Sequence, residues 1–397
     1  MLHTWRWFGP ADKTSLTDVA QAGAKGVVSA LHHVPAGTVW SPEEIAKRRT
    51  LIEDGDLVWS VVESLPVSEE IKLDAPEFDA HCAAWCESLE NLAAQGIFVV
   101  CYNFMPVIDW TRTDLAWRLP HGGTAMRFDL VDFAAFDIFI AERKGAAEAH
   151  GKALADAAAA RFEAMDDARR KGLTAAITAG LPGTDRSLTL DDVREALSAW
   201  DGISAETLAA NQTAFLRAVV PTAERLGMKL CCHPDDPPVP LLGLPRIMST
   251  EADFQRMVDA VESPANGITF CTGSLGARAD NDLPGMVERL GGKIHFLHLR
   301  NVRHQDGPGE APYTAFFESD HLDGNVDMVA VIRAVVAEEK RRAAEGRADT
   351  EIPMRPDHGH DLADDLKRGA QPGYPTVGRI KGLAELRGVE VALQSRP

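Results

Sequence analysis

The chain has 397 residues, 45% of them hydrophobic and 25% charged, the mixture of an ordinary globular protein at a length within reach of one α/β barrel with insertions. Its 41 basic against 59 acidic residues leave a formal charge of −18, which repels nucleic-acid backbones and anionic lipid surfaces, so no nucleic acid and no membrane is expected as a partner. The 32 glycines and 23 prolines are too few for a collagen-like or low-complexity chain, and the six cysteines are too sparse and uneven for a disulfide framework.

In chain order, β-rich runs occur at residues 3–7, 26–31, 57–63, 97–104, 228–233, 267–272, 293–299 and 351–357. Helical patterns lie between them, at 16–22, 42–53, 76–95, 205–226 and 326–344 among others. Strands alternating with helices predict βαβ units and a parallel sheet, and eight such strands predict a closed (β/α)8 TIM barrel rather than an open sheet. No Gly-x-Gly-x-x-Gly follows any run, which argues against a dinucleotide fold. No stretch reaches the roughly 18 consecutive apolar residues that span a bilayer. Met1–Pro10 carries Arg6 between Trp5 and Trp7 and has no apolar signal-peptide core, so a cytoplasmic protein is expected.

One interval exceeds any ordinary crossover. Between Phe104 and Met228, residues 130–179 are rich in Ala, Glu, Lys and Arg, good helix formers, and a further helix is predicted over 188–200. Residues 106–204 are therefore expected to form a helical insertion after the fourth strand, within a single barrel domain of residues 1–397. A cover or an oligomer contact is the plainer reading of that insertion and a substrate lid the sharper one; a homo-oligomer is expected.

Functional groups of a parallel barrel gather at the C-terminal ends of its strands. There the fifth strand closes on Cys231-Cys232-His233-Pro234 and the sixth on Phe270-Cys271-Thr272-Gly273. The seventh closes on His298-Leu299-Arg300-Asn301 and the eighth on Arg355-Pro356-Asp357-His358. Side chains alternate along a strand, so Phe296, His298 and Arg300 share one face, as do Thr269 and Cys271, and Arg355 and Asp357. His233, Cys271, His298 and Asp357 thus converge on the barrel mouth as candidate ligands of a divalent transition metal. Imidazole suits Mn, Fe, Co, Ni or Zn, thiolate leans towards Fe or Zn, and carboxylate admits Mn. Singly, each has a plainer reading as a core cysteine, a rim histidine or a loop aspartate; the coincidence at four successive strand ends is what points to a metal. Cys232, of opposite parity, is expected to pack outward. His358 and, further on, Tyr374 suit proton transfer beside a carboxylate, and Arg300 suits a clamp on a substrate carboxylate.

Several of these residues fall in longer motifs. Trp5-Arg6-Trp7-Phe8-Gly9-Pro10, Ala30-Leu31-His32-His33, Val58-Trp59-Ser60-Val61-Val62-Glu63-Ser64, Tyr102-Asn103-Phe104-Met105-Pro106 and Asp109-Trp110-Thr111-Arg112-Thr113 precede the insertion. His233-Pro234-Asp235-Asp236-Pro237-Pro238, Phe270-Cys271-Thr272-Gly273-Ser274, His298-Leu299-Arg300-Asn301 and Arg355-Pro356-Asp357-His358-Gly359-His360 follow it. In all of them the chain resembles the mannonate dehydratases, over nearly its whole length and least in residues 141–180. The resemblance implies a xylose-isomerase-like barrel that dehydrates D-mannonate to 2-dehydro-3-deoxy-D-gluconate and water, with Mn²⁺ or Fe²⁺, in hexuronate (glucuronate) catabolism. It places the metal ligands on His233, Cys271, His298 and Asp357 and the acid/base roles on His358 and Tyr374. His32, His33, Glu63, Asn103 and Trp110, near the ends of earlier strands or in the loop beyond, are candidates for binding the sugar hydroxyls. A sugar isomerase on the same barrel is expected to show more carboxylate ligands and a catalytic lysine, and a non-catalytic sugar-acid binding protein to have lost part of the metal set.

Overall fold

Eight parallel strands close on themselves in the computed structural model, which describes residues 1–180, 189–308 and 315–395. Residue 188, the first of the helix predicted over 188–200, lies outside the described residues. The barrel strands are β1 (Leu2–Arg6), β2 (Gly26–Ser29), β3 (Val58–Glu63), β4 (Val99–Tyr102), β7 (Lys229–Cys232), β8 (Asn266–Cys271), β9 (Ile294–Leu299) and β12 (Pro353–Pro356). They neighbour one another in that order, and β12 pairs with β1 to complete the circle. Each overlaps one of the eight predicted runs.

Strands buried on both faces read as near-continuous apolar runs, and β8 and β9 are buried at every position. Alternation divides them. Val28, Val61, Cys101, Cys231 and Phe296 form the inner core of the barrel. Val27, Val62, Val100, Cys232, Leu297 and Leu299 join the larger core between strands and helices, so Cys232 packs outward as its parity requires. The outer helices start where side chains satisfy their free N–H groups: Ser15 with Asp18 ahead of Leu16–Gln21, Ser41 ahead of Pro42–Glu53, and Thr250 with Asp253 ahead of Glu251–Ala260.

A second, antiparallel sheet stands beside the barrel mouth, in the order β10-β11-β6-β5. Two of its strands, β5 (Asp114–Arg118) and β6 (Thr124–Phe128), come from the long interval, and β10 (Asn301–Gln305) and β11 (Ala315–Ser319) follow β9. The described residues within 106–204 are therefore part strand and part helix: after β6 come Leu130–Ala135, a π-helical turn at Phe136–Ile140, Ala146–His150, Lys152–Glu163, Asp167–Ile177 and Leu190–Ser198, the last capped by Thr189. Phe133, Phe136, Leu173 and Val193 of these helices share a second core with Val302 of β10 and Phe316 of β11. Among the described residues no helix is long and apolar enough to cross a membrane.

Candidate active site

The strand ends bring three metal-binding side chains together. His233 follows β7, Cys271 ends β8 and His298 lies on β9, each on the inward parity; their ligand atoms all lie within 4.8 Å of one another. Among the described residues this is the one such group of three or more. His233 Nδ1 donates to Pro234 O at 2.7 Å, which leaves Nε2 as the lone pair, 3.1 Å from His298 Nδ1. Burial pulls His233 below the ordinary histidine value, so the ring is neutral at pH 7 and able to ligate. His298 Nε2 is buried without a hydrogen bond, 3.3 Å from Glu63 Oε2. Cys271 Sγ accepts from Ser274 N (3.4 Å) and Ser274 Oγ (3.1 Å) and lies 3.5 Å from Asp357 Oδ2. Burial alone raises the Asp357 carboxyl, but Arg355, His358 and Arg300 together hold it well below the usual carboxylate range. Two imidazoles and a thiol with a carboxylate beside them are the donor set of a manganese, iron or zinc site rather than of Mg²⁺ or Ca²⁺. The residues present fit such an ion.

The acid/base candidates stand next to this group. His358 Nε2 lies 3.3 Å from Tyr374 Oη and 3.7 Å from Asp357 Oδ1. Its Nδ1 is 2.9 Å from both carboxylate oxygens of Glu318, so Nδ1–H donates there and Nε2 keeps its lone pair towards Tyr374. Arg300 Nη1 approaches Glu318 Oε1 (2.6 Å) and His358 Nδ1 (2.7 Å); with Nδ1 protonated, its bond goes to the carboxylate. His360 Nε2 donates to Glu318 O at 2.8 Å and fixes that strand from the other side. Burial pushes the Tyr374 phenol up to about 12, so it stays protonated throughout the neutral range.

Arginines and carboxylates interlock beneath these groups. Arg300 bonds Asp236 (2.8 Å) and Glu318 (2.6 Å) and stands as an ion pair 3.2 Å from Asp357, and Arg112 bonds Asp236 (2.7 Å) and Glu318 (2.9 Å). Arg355 bonds Glu63 (2.8 Å) and Asp357 (2.5 Å). Burial opposes ionisation of Glu318, but His358, Arg300 and Arg112 hold it down at about 2. Arg300, expected to clamp a substrate carboxylate, already hydrogen-bonds Glu318 and Asp236 through its two Nη atoms, while its Nε lies 3.2 Å from Asp357 Oδ2 without a hydrogen bond. Its approach depends on Gly273, where an added Cβ would meet Arg300 Nε at 1.9 Å.

A cavity of about 160 Å³ opens beside the cluster, lined by Arg6, His32, Glu63, Asn103 and Tyr374 among others. His32 Nε2 is buried there without a partner, and burial with the nearby Arg6 and Arg48 lowers its pKa to about 3. Trp110 is buried against His358, ring centroids 6.3 Å apart. His33 is not brought in: it is exposed, 2.9 Å from Glu44, and lines a separate groove. Of the residues not singled out for the chemistry, Asp236, Arg112, Arg355 and Arg6 lay within the quoted motifs, whereas Glu318 had no signal beyond an acidic residue between aromatic and polar neighbours.

Fold and site together define a barrel enzyme with a candidate transition-metal centre and an acid/base pair at its C-terminal face. The family model described as D-mannonate dehydratase (UxuA) matches residues 1–396. A mannonate dehydratase of Rhizobium meliloti (strain 1021) is 55% identical over 99% of this chain and 97% of its own length. One of Agrobacterium fabrum is 56% identical with the same coverage. The crystal structure of mannonate dehydratase from Streptococcus suis serotype2 superposes with a TM-score of 0.76 at 32% identity, covering 99% of this chain and 93% of that one. The chain belongs to the mannonate dehydratase family.

Proposed function

We propose that the chain dehydrates D-mannonate to 2-dehydro-3-deoxy-D-gluconate and water, a step of hexuronate (glucuronate) catabolism in the cytoplasm, using Mn²⁺ or Fe²⁺ held by His233, Cys271, His298 and Asp357. The observation that carries this reading is the convergence of His233, Cys271 and His298 within 4.8 Å, with the His358–Tyr374 pair at 3.3 Å beside them. When bound, the ion supplies positive charge against the enediolate that forms when C2 loses its proton.

The C2 proton of an aldonate is weakly acidic, and the C3 hydroxyl leaves only when protonated. His358 moves the proton through Nε2, its tautomer fixed by Glu318 at Nδ1. Tyr374 arrives protonated and donates to, or holds, a substrate oxygen. His32, Asn103, Glu63 and Trp110 receive the sugar hydroxyls in and around the cavity, and residues 106–204 serve as a cover over that face. Metal-depleted protein incubated with D-mannonate should yield no 2-keto-3-deoxy acid, and reloading with Mn²⁺, or with Fe²⁺ under anaerobic conditions, should restore it. Absence of that product with both ions overturns the reading.

A further inference from the structure

With both Nη atoms of Arg300 bonded to Glu318 and Asp236, the proposed substrate's carboxylate calls for a second cationic partner beside the ion. Besides Arg379 on the Tyr374 ring and Arg48 near His32, four arginines stand at the site, and three of them hydrogen-bond Glu63, Asp236 or Glu318, with Arg300 Nε and Arg355 Nη1 also within 3.2 Å of an Asp357 oxygen. The fourth is Arg6, the last residue of β1, only 6% exposed and lining the same cavity as His32 and Tyr374. Its Nε and Nη1 are buried without a hydrogen bond. The nearest carboxylate oxygen, Glu63 Oε2, is 3.9 Å away and already accepts from Arg355 Nε at 3.0 Å. Arg6 Cζ lies over the Phe8 ring, 5.0 Å from its centroid. A guanidinium stays charged under all working conditions, and a buried charge without a bonded partner is costly. Such a group is retained where a ligand completes it.

We propose that Arg6 is the anchor for the substrate's carboxylate: a sugar acid enters with its carboxylate on Arg6 and its hydroxyls towards His32 and Asn103. The inference rests on the aldonate reading above and adds to it the residue that separates sugar acids from neutral sugars. It also explains how an acid substrate is compatible with an Arg300 whose Nη atoms are already bonded to Glu318 and Asp236. Arg300 organises Glu318 and His358, and Arg6 meets the ligand.

The experiment is calorimetric binding of D-mannonate and of its neutral amide to metal-loaded wild-type, Arg6→Met and Arg6→Lys proteins. A thermal midpoint is measured for each protein without ligand. Wild type should prefer the acid. In Arg6→Met the Kd for D-mannonate should rise about 30-fold or more, the scale of a lost buried charge pair, while the amide changes by less than about threefold. Arg6→Lys should recover part of the preference. Because Arg6 Nε and Nη1 make no hydrogen bond in the protein and the Glu63 contact is 3.9 Å long, the ligand-free midpoint of Arg6→Met should be unchanged or higher, whereas a structural arginine would lower it. Equal weakening of acid and amide, a lowered midpoint with the preference intact, or unchanged affinity for the acid overturns the anchor. Wild-type protein that binds D-mannonate by way of Arg6 but does not convert it refutes the activity alone, and protein that binds no aldonate refutes both.

Discussion

Glu318 holds His358, Arg300 and Arg112 at once at the barrel mouth, while Asp357 meets Arg300, Arg355, His358 and Cys271. On the proposed reading that arrangement divides labour between neighbouring residues: Asp357, 3.5 Å from Cys271 Sγ, would complete the metal cluster, and His358, one residue on, would serve the substrate with Nδ1 held by Glu318. His358→Asn should therefore keep its metal and lose on the order of 10²–10⁴ in turnover, the usual scale of acid–base catalysis. If His358 merely supported Asp357, metal affinity would fall and excess metal would restore the rate. Cys271→Ser should weaken metal binding by at least about tenfold, read as metal retained after dialysis, because an alcohol is a poor replacement for a thiolate on a soft or borderline ion. Unchanged metal content in that variant would remove Cys271 from the ligand set. The convergence of His233, Cys271 and His298 was readable in advance because the two-residue alternation of a strand is rigid: once β9 places Phe296 inward, His298 follows; Asp357 joins them as a ligand only on the proposed reading. Arg300 obeys the same parity, yet its partners come from Asp236 and Glu318, far away in sequence, so no spacing showed that its fork was already filled.

At the level of elements, the barrel strands were legible as apolar runs, and the small sheet was not. Its hairpin from β5 to β6 had a turn signal in Gly122-Gly123, flanked by Trp117 on one side and Met126 and Phe128 on the other. The helical composition of the residues that follow concealed it. β10 was hidden differently, because it starts at Asn301, directly after the Arg300 that follows β9. The helices beyond β6 are tied by a buried ion cluster: Asp137 accepts from Arg143 Nε (2.8 Å) and Nη2 (2.7 Å) and lies 2.8 Å from His150 Nε2. Burial pushes Asp137 up, but His150 and Arg143 hold it below its ordinary value. The unfolded chain then takes up a proton at higher pH than the folded one, so this contribution is complete above about pH 4 and is lost as the pH falls through the depressed folded value. Asp137→Asn should cost about 2–3 kcal/mol at pH 7, measured by urea unfolding, and the gap from wild type should narrow below about pH 4. A gap that widens in acid would contradict the pairing.

For the whole molecule, a chain of net charge −18 gathers Arg6, Arg112, Arg300 and Arg355 at the barrel mouth against Glu63, Asp236, Glu318 and Asp357, so an acidic exterior encloses a site whose charges are matched one for one. Cation and substrate both belong to the folded state, and each should stabilise it by mass action. Metal at about 100 times its Kd should add roughly 2.7 kcal/mol, seen as a higher thermal midpoint that a chelator reverses. An identical midpoint with and without metal would mean that the cluster binds none. The central claim is that this mouth removes the C2 proton and expels the C3 hydroxyl, and proton NMR of metal-loaded protein with D-mannonate in D2O follows both events in one sample. The account predicts a 2-keto-3-deoxy acid carrying one solvent deuterium at C3, placed there as the enol ketonises. Recovery of D-mannonate or its C2 epimer with deuterium at C2, and no dehydrated product, would contradict it.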